Sequence, residues 1–259
     1  MKYQPELIRG TLIRRYKRFL ADIELEDGSE ITAYCPNTGA MTACADPGSP
    51  VWLWDSQNPK RKYRHSWEWT TVHQRYRACV NTARANQLVA EALEIGNLEG
   101  ITDYQMVERE PRVEDGRLDF LLRSESNREG SGNSGESGES GDVDGKGLHY
   151  IEVKSVTLPL ADQAGVAAFP DTVTARGLKH LQRLQTLTTE GHRATLLFCV
   201  ALESIQEVRP AWHIDPAYAE GLQQAVAAGV QVRAYGVAFS DNAMTLNGAE
   251  PLTVRIDPV

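Results

Sequence analysis

H-Y-I-E-V-K-S-V-T, residues 149–157, is the stretch around which the rest of the chain makes sense. Tyr150, Ile151, Val153 and Val156 give it strand composition, while Glu152 and Lys154, two apart, project from one face of that strand. A buried strand that carries a carboxylate and an ammonium on one face serves either chemistry or a solvated surface.

Upstream, R-L-D-F-L-L-R (residues 117–123) reads as another strand, with Asp119 the single acid among Leu118, Phe120, Leu121 and Leu122. A carboxylate in so apolar a segment is costly unless it is hydrogen-bonded or holds a cation. If the two strands pair as a hairpin, Asp119 meets Glu152 and Lys154. Two converging carboxylates, completed by the main-chain carbonyl of Val153, form an all-oxygen site of the kind that takes Mg²⁺ or Mn²⁺. Lys154 would orient the attacking water there, or stabilise negative charge developing on a phosphodiester. The candidate catalytic residues are therefore Asp119, Glu152 and Lys154, and the candidate metal ligands Asp119, Glu152 and Val153. Alone, D…(D/E)-x-K is a weak pattern, and the alternative is a surface pair worth about 0–1 kcal/mol.

Residues 124–147 separate the two segments. Of these 24 residues, 13 are Gly or Ser, with the repeat S-G-E-S-G-E-S-G. Such a segment buries too little to order itself, and it reads as the expanded, dispensable tip of a hairpin. Doubling a loop's length costs only about 0.6 kcal/mol.

Downstream, residues 158–169 read as a loop. F-P-D-T-V-T-A-R-G-L-K-H-L-Q-R-L-Q-T-L then predicts a helix with Thr172 or Thr174 as N-cap and Leu178, Leu181 and Leu184 on its apolar side. Arg176, Lys179, His180 and Arg183 share a basic face, of which Arg176, Lys179 and His180 would steer and clamp a phosphate backbone. A-T-L-L-F-C-V-A-L (residues 194–202) is a continuous apolar run, as expected of a central strand. Asp215 and Pro216 open a third helix that ends at Gly229, and residues 230–239 give another strand. Before Asp119, residues 81–96 predict a helix with the stripe Ala85, Leu88, Val89, Ala92 and Leu93 and Gly96 as terminator. Residues 80–259 thus form an α/β domain on a mixed sheet.

Residues 1–79 read differently. Several short strands with turns at Asp27-Gly28 and Pro47-Gly48, and no convincing helix, suggest a small closed barrel, the OB-fold being one candidate. Two basic clusters, R-R-Y-K-R (Arg14, Arg15, Lys17, Arg18) and K-R-K-Y-R (Lys60, Arg61, Lys62, Arg64), are interleaved with Tyr16 and Tyr63 and followed by Trp67 and Trp69. Basic residues beside aromatic platforms suit single-stranded nucleic acid. The alternative is that Trp52, Trp54, Trp67 and Trp69 fill the barrel core and the arginines rim it.

The formal charge of −8 does not oppose this, because 12 Lys+Arg face 9 Asp+Glu over residues 1–80, against 15 and 26 over the remainder. Binding follows the local field. No helix-turn-helix pattern or zinc-finger spacing is present. There is no apolar run of about 20 residues and no apolar leader, and Cys35, Cys44, Cys79 and Cys199 show no metal spacing, so a cytoplasmic protein with no membrane partner is expected.

C-P-N-T-G-A-M-T (residues 35–42), N-P-K-R-K-Y (58–63), V-N-T-A-R-A-N (80–86), R-L-D-F (117–120), Y-I-E-V-K-S-V-T-L (150–158), F-P-D-T-V-T-A-R-G-L-K-H-L (169–181) and H-I-D-P-A-Y (213–218) together closely resemble the sugar fermentation stimulation protein A family. The resemblance covers nearly the whole chain. It implies an N-terminal OB-fold domain followed by a restriction-endonuclease-like PD-(D/E)XK domain, DNA binding, and a regulatory link to sugar (maltose) metabolism. It makes Asp119, Glu152 and Lys154 the counterparts of the nuclease core motif. The expected function is a DNA-binding protein with a nuclease-like Mg or Mn site; the alternative is a non-catalytic DNA-binding transcriptional regulator, since this fold also hosts proteins that only bind.

Overall fold

A computed structural model describes residues 1–114, 116–124 and 147–258. Apart from Ser124 and Gly147, the Gly/Ser-rich insert lies outside the described residues.

The first sheet is built from β1 (Ile8–Tyr16), β2 (Leu20–Leu25), β3 (Glu30–Tyr34), β4 (Pro50–Asp55), β5 (His65–Val72) and β6 (Tyr76–Cys79), in the order β3-β2-β1-β4-β5-β6. The β2–β3 turn is made by Gly28, at φ +80°, and by Asp27, whose carboxylate accepts from Ser29 N at 2.9 Å. A parallel bridge between Tyr34 and Ser66 joins β3 to β5 and closes an OB-like barrel.

Strand β5 is buried along nearly its whole length because it serves two cores. Its register against β4 shifts between Trp52 and Leu53, opposite Glu68. Such a bulge re-aims the side chains beyond it. Trp67 fills the barrel core with Leu12, Ile23 and Leu53, whereas Trp69 belongs to the core of the second domain, edge-on to Tyr3 and Phe239. Both tryptophans are fully buried, so neither is a stacking platform for a nucleic acid. Trp52 and Trp54 are half-buried.

The second sheet runs β17-β16-β14-β11-β10-β7. Its centre is parallel: β11 (His149–Val156) beside β14 (Arg193–Val200) beside β16 (Gln231–Phe239). The flanks are antiparallel: β10 (Phe120–Arg123) and β7 (Met106–Arg109) on one side, β17 (Met244–Pro251) on the other. The apolar run at residues 194–202 is β14, buried from Ala194 onward because helices cover both faces of the sheet. Helix α1 (Ala83–Ile95) covers one face with the predicted stripe, and Gly96, at φ +73°, terminates it. Helices α2 (Ala175–Thr189) and α3 (Pro216–Ala227) cover the other. Thr174, not Thr172, caps α2 by accepting from Gly177 N, and Asp215 caps α3 by accepting from Tyr218 N. Leu181, Leu184 and Leu187 are the buried leucines of α2, while Leu178 stays partly exposed.

Two expectations are corrected. The segment at residues 158–169 contains β12 (Leu158–Pro159) and β13 (Val166–Phe169), which join β15 (Glu207–Pro210) and β18 (Thr253–Val254) in a small third sheet. The strand expected over 117–123 is broken: β8 (Arg112–Val113) and β9 (Gly116–Arg117) form a separate hairpin, and Asp119 sits at a bend before β10.

The domains share a buried junction. Glu68, fully buried at the β5 bulge, accepts from Arg84 at 2.8 and 3.0 Å, from Asn81 at 2.8 Å and from the Tyr3 hydroxyl at 3.0 Å. All four cysteines are free and buried. No helix among the described residues is long and apolar enough to cross a membrane.

Candidate active site

The site forms where β10 stops. Phe120 pairs with Ile151, so the preceding residue, Asp119, lies opposite Glu152 and Val153 on β11. Its Oδ2 accepts from Val153 N at 2.7 Å and its Oδ1 from Asn86 Nδ2, on α1, at 2.6 Å. The carboxylate thus takes the N–H that a longer β10 would have bonded through a main-chain carbonyl, which is why the strand ends here. An extended residue's N–H and C=O point to the same side, so the Val153 carbonyl also faces the gap left by β10.

Glu152 points to the other face, towards α2. Its Oε1 accepts from Lys154 Nζ at 2.6 Å and lies against His180 Nδ1. Lys154 Nζ is 3.2 Å from the same His180 nitrogen, and Arg176 Nε lies 3.3 Å from His180 Nε2. His180, expected on a phosphate-clamping face, is thereby turned onto the carboxylate.

The environments shift the two carboxyls in opposite directions. Burial raises Asp119, the charge of Glu152 raises it further, and the bonds from Val153 and Asn86 only partly offset this. Burial would raise Glu152 too, but the His180 bond and the Lys154 charge outweigh it and hold Glu152 below its ordinary range.

The other sequence candidates are dispersed. Arg176 and Lys179 are exposed, and with Arg117, His180 and Arg183 they line a cavity of about 260 Å³ beside Glu152. In the barrel, Arg14 pairs with Asp22 at 2.9 Å and Lys17 is exposed in the β1–β2 turn. Arg15 donates to the carbonyls of Arg18, Asn37 and Gly39, and Arg18 to that of Thr38, so both brace the loop at residues 36–41. Lys60 and Lys62 are exposed, Arg61 reaches Ser66, and Arg64 forms a two-pronged pair with Asp55.

Sequence reasoning gave no role to Asn86 or Asp171. Asp171 Oδ2 accepts from Met41 N at 3.0 Å and so ties the barrel loop to the second domain. The signal for Asn86 lay in V-N-T-A-R-A-N, where polar residues stand at the start of an otherwise apolar helix.

Residues 83–243 match the Sugar fermentation stimulation protein RE domain and residues 13–80 the SfsA N-terminal OB domain. A sugar fermentation stimulation protein homolog of Pseudomonas syringae pv. tomato is 47% identical over 249 residues, covering 95% of this chain and 96% of that protein. The chain belongs to the sugar fermentation stimulation protein family. Its relatives include a sugar fermentation stimulation protein homolog of Pseudoalteromonas atlantica, 43% identical over 98% of this chain and 100% of that protein. The structure of Pyrococcus furiosus SfsA in complex with Ca²⁺ superposes with a TM-score of 0.80 at 25% identity, over 98% of each chain. The fold of this family member, OB-like barrel and mixed-sheet domain, is thus the one its sequence blocks imply.

Proposed function

We propose that this family member is a cytoplasmic DNA-binding protein whose second domain carries a divalent-metal-dependent phosphodiester hydrolase site. The observation that carries the proposal is the position of Asp119 at the end of β10, bonded to Val153 N and near enough to Glu152 to feel its charge, with Lys154 on the Glu152 carboxylate. Among the described residues no three His, Cys, Asp or Glu side chains gather around a metal position, and the set proposed is two carboxylates and a main-chain oxygen. These hard oxygen donors fit Mg²⁺, Mn²⁺ or Ca²⁺, and the Ca²⁺ complex of the archaeal relative supports a divalent ion. When bound, such an ion supplies Lewis acidity towards a phosphoryl oxygen and lowers the pKa of a coordinated water.

The protein's own groups supply the rest. Asn86 and the Val153 N–H fix the Asp119 carboxylate before substrate arrives. Lys154, held 2.6 Å from Glu152, presents its ammonium to charge that develops on the phosphoryl group. Arg176 and Lys179 hold the backbone beside it. The link to sugar metabolism rests on the family's name.

A second reading, a DNA-binding regulator without catalysis, is favoured by one feature: Lys154 and His180 already engage the Glu152 carboxylate. Incubation of single- and double-stranded DNA with Mg²⁺ or Mn²⁺ separates the two. Hydrolysis is expected, lowered about 10²–10³-fold by Lys154→Met and lost in Asp119→Asn. No hydrolysis of any DNA form, or hydrolysis indifferent to these changes, overturns catalysis. Binding that survives Glu152→Gln and weakens with salt, at a slope near −0.9 per neutralised phosphate, then leaves the regulator.

A further inference from the structure

A second cavity, of about 220 Å³, adjoins the site and takes Asn86, Val153 and Lys154 into its lining. It shares no lining residue with the cationic cavity beside α2. Val153 and Ser155, which alternate with Glu152 and Lys154, form its floor, the start of α1 one wall, and Phe169 and Asp171 another. Asn37, on the barrel loop, closes it, so both domains build it.

Its lining differs in kind from the cationic side. Among the described residues its lining carries one cationic side chain, Lys154, whose ammonium is engaged by Glu152. Asn37 Oδ1 accepts from Gly39 N, leaving the amide NH₂ as a donor. Asn86 Nδ2 donates to Asp119, leaving its carbonyl as an acceptor, and Asp171 uses Oδ2 for Met41 N, leaving Oδ1. Phe169 packs on Phe198 and Tyr218 and is only partly buried, so an aromatic surface remains beside these groups. Facing donors and acceptors beside a ring suit a nucleobase rather than a phosphate. The volume lies below the roughly 300 Å³ at which sites for drug-sized ligands begin, which suits one base and not two.

We propose that this cavity receives a single unpaired nucleobase next to the phosphodiester at Asp119 and Glu152, so that the substrate is a single strand, an unpaired end or a flipped nucleotide. The inference rests on the nucleic-acid reading of the site. A base inside a duplex is paired and stacked and cannot enter, whereas a strand passing the edge of β11 can place its phosphates at the cationic cavity and one base in this one.

The test is fluorescence anisotropy with the full chain in Ca²⁺, using a labelled single-stranded oligonucleotide, the same strand in duplex, and single strands bearing one tetrahydrofuran abasic residue at successive positions. The wild type is expected to prefer the single strand to the duplex about tenfold. Loss of the base at one position should weaken binding about fivefold or more, the low end of the effect of one stacked base. Thr82→Phe narrows the cavity from the α1 wall without removing a bond, since Thr82 makes no side-chain cap bond. Ser155→Leu fills it from the floor. In both variants the abasic penalty should vanish while duplex binding is unchanged. Equal affinity for single strand and duplex, or an abasic penalty that persists in both variants, overturns the base site and leaves the nucleic-acid reading standing. Absence of binding to every probe overturns both.

Discussion

At the scale of single residues, Glu152 gains its charge from neighbours that the strand pattern did not reveal. Its folded-state pKa is depressed by His180 and Lys154 against the opposing effect of burial. A depressed acid contributes stability that is present above its unfolded pKa and lost as pH falls through the folded value. Removing His180 leaves burial less opposed, so in His180→Ala that loss begins at higher pH, and the acid midpoint of a pH-dependent unfolding curve should move upward. An unchanged midpoint would mean that Lys154 alone sets the charge. Asp119 has the opposite sign: its raised pKa gives stability present at low pH that falls as the carboxyl ionises. I-E-V-K and R-L-D-F were enough to bring Asp119 and Glu152 together on paper, because a hairpin fixes register. His180 could not be placed that way, since its spacing fits a solvated basic face as well as a contact across to β11.

At the scale of elements, α1 connects the two cores. Its apolar stripe was legible from period alone, but the work of its first turns was not. Arg84 neutralises Glu68 and Asn81 donates to it on the barrel side, and Asn86 orients Asp119 on the other. Removing one partner of a buried ion pair costs about 3–5 kcal/mol, because the remaining charge stays buried. Arg84→Ala should therefore lower Tm by roughly 2–4 °C for each kcal/mol lost, and Glu68→Gln combined with Arg84→Met should recover part of it in thermal unfolding. Equal Tm values for Arg84→Ala and the wild type would refute this role. The break in the 117–123 segment was hidden for a related reason. Its composition is that of an unbroken strand, and only the side-chain bond from Asp119 to Val153 ends the ladder. The bulge at Glu68 was equally hidden, as alternation alone would have put Trp67 and Trp69 in one core.

At the scale of the whole molecule, barrel and mixed-sheet domain were separable by eye in the sequence, yet their packing is continuous. Tyr3, Trp69 and Cys79 share a core with α1, β11, β14 and β16, and Leu202 joins the barrel core. Two cores bridged by shared elements are expected to unfold together, and the calorimetric test is that of two-state behaviour. Calorimetry should show a single transition whose calorimetric and van't Hoff enthalpies agree; two resolved transitions would show that the junction is not part of the cooperative unit. Long-range packing of this kind leaves no periodic trace in a sequence, because each strand's pattern records that a face is buried and not which partner buries it.

The four buried thiols give that cooperativity a built-in clock. Burial pushes Cys44 and Cys199 up to about 12 and raises Cys35 and Cys79 as well, so little reactive thiolate exists in the folded chain. Each thiol can be trapped only when its own surroundings open. Cys35 and Cys44 report on the barrel, Cys79 on the junction and Cys199 on the central sheet. Four matching trapping rates would time one concerted opening, while faster capture at Cys35 and Cys44 would show the barrel loosening first.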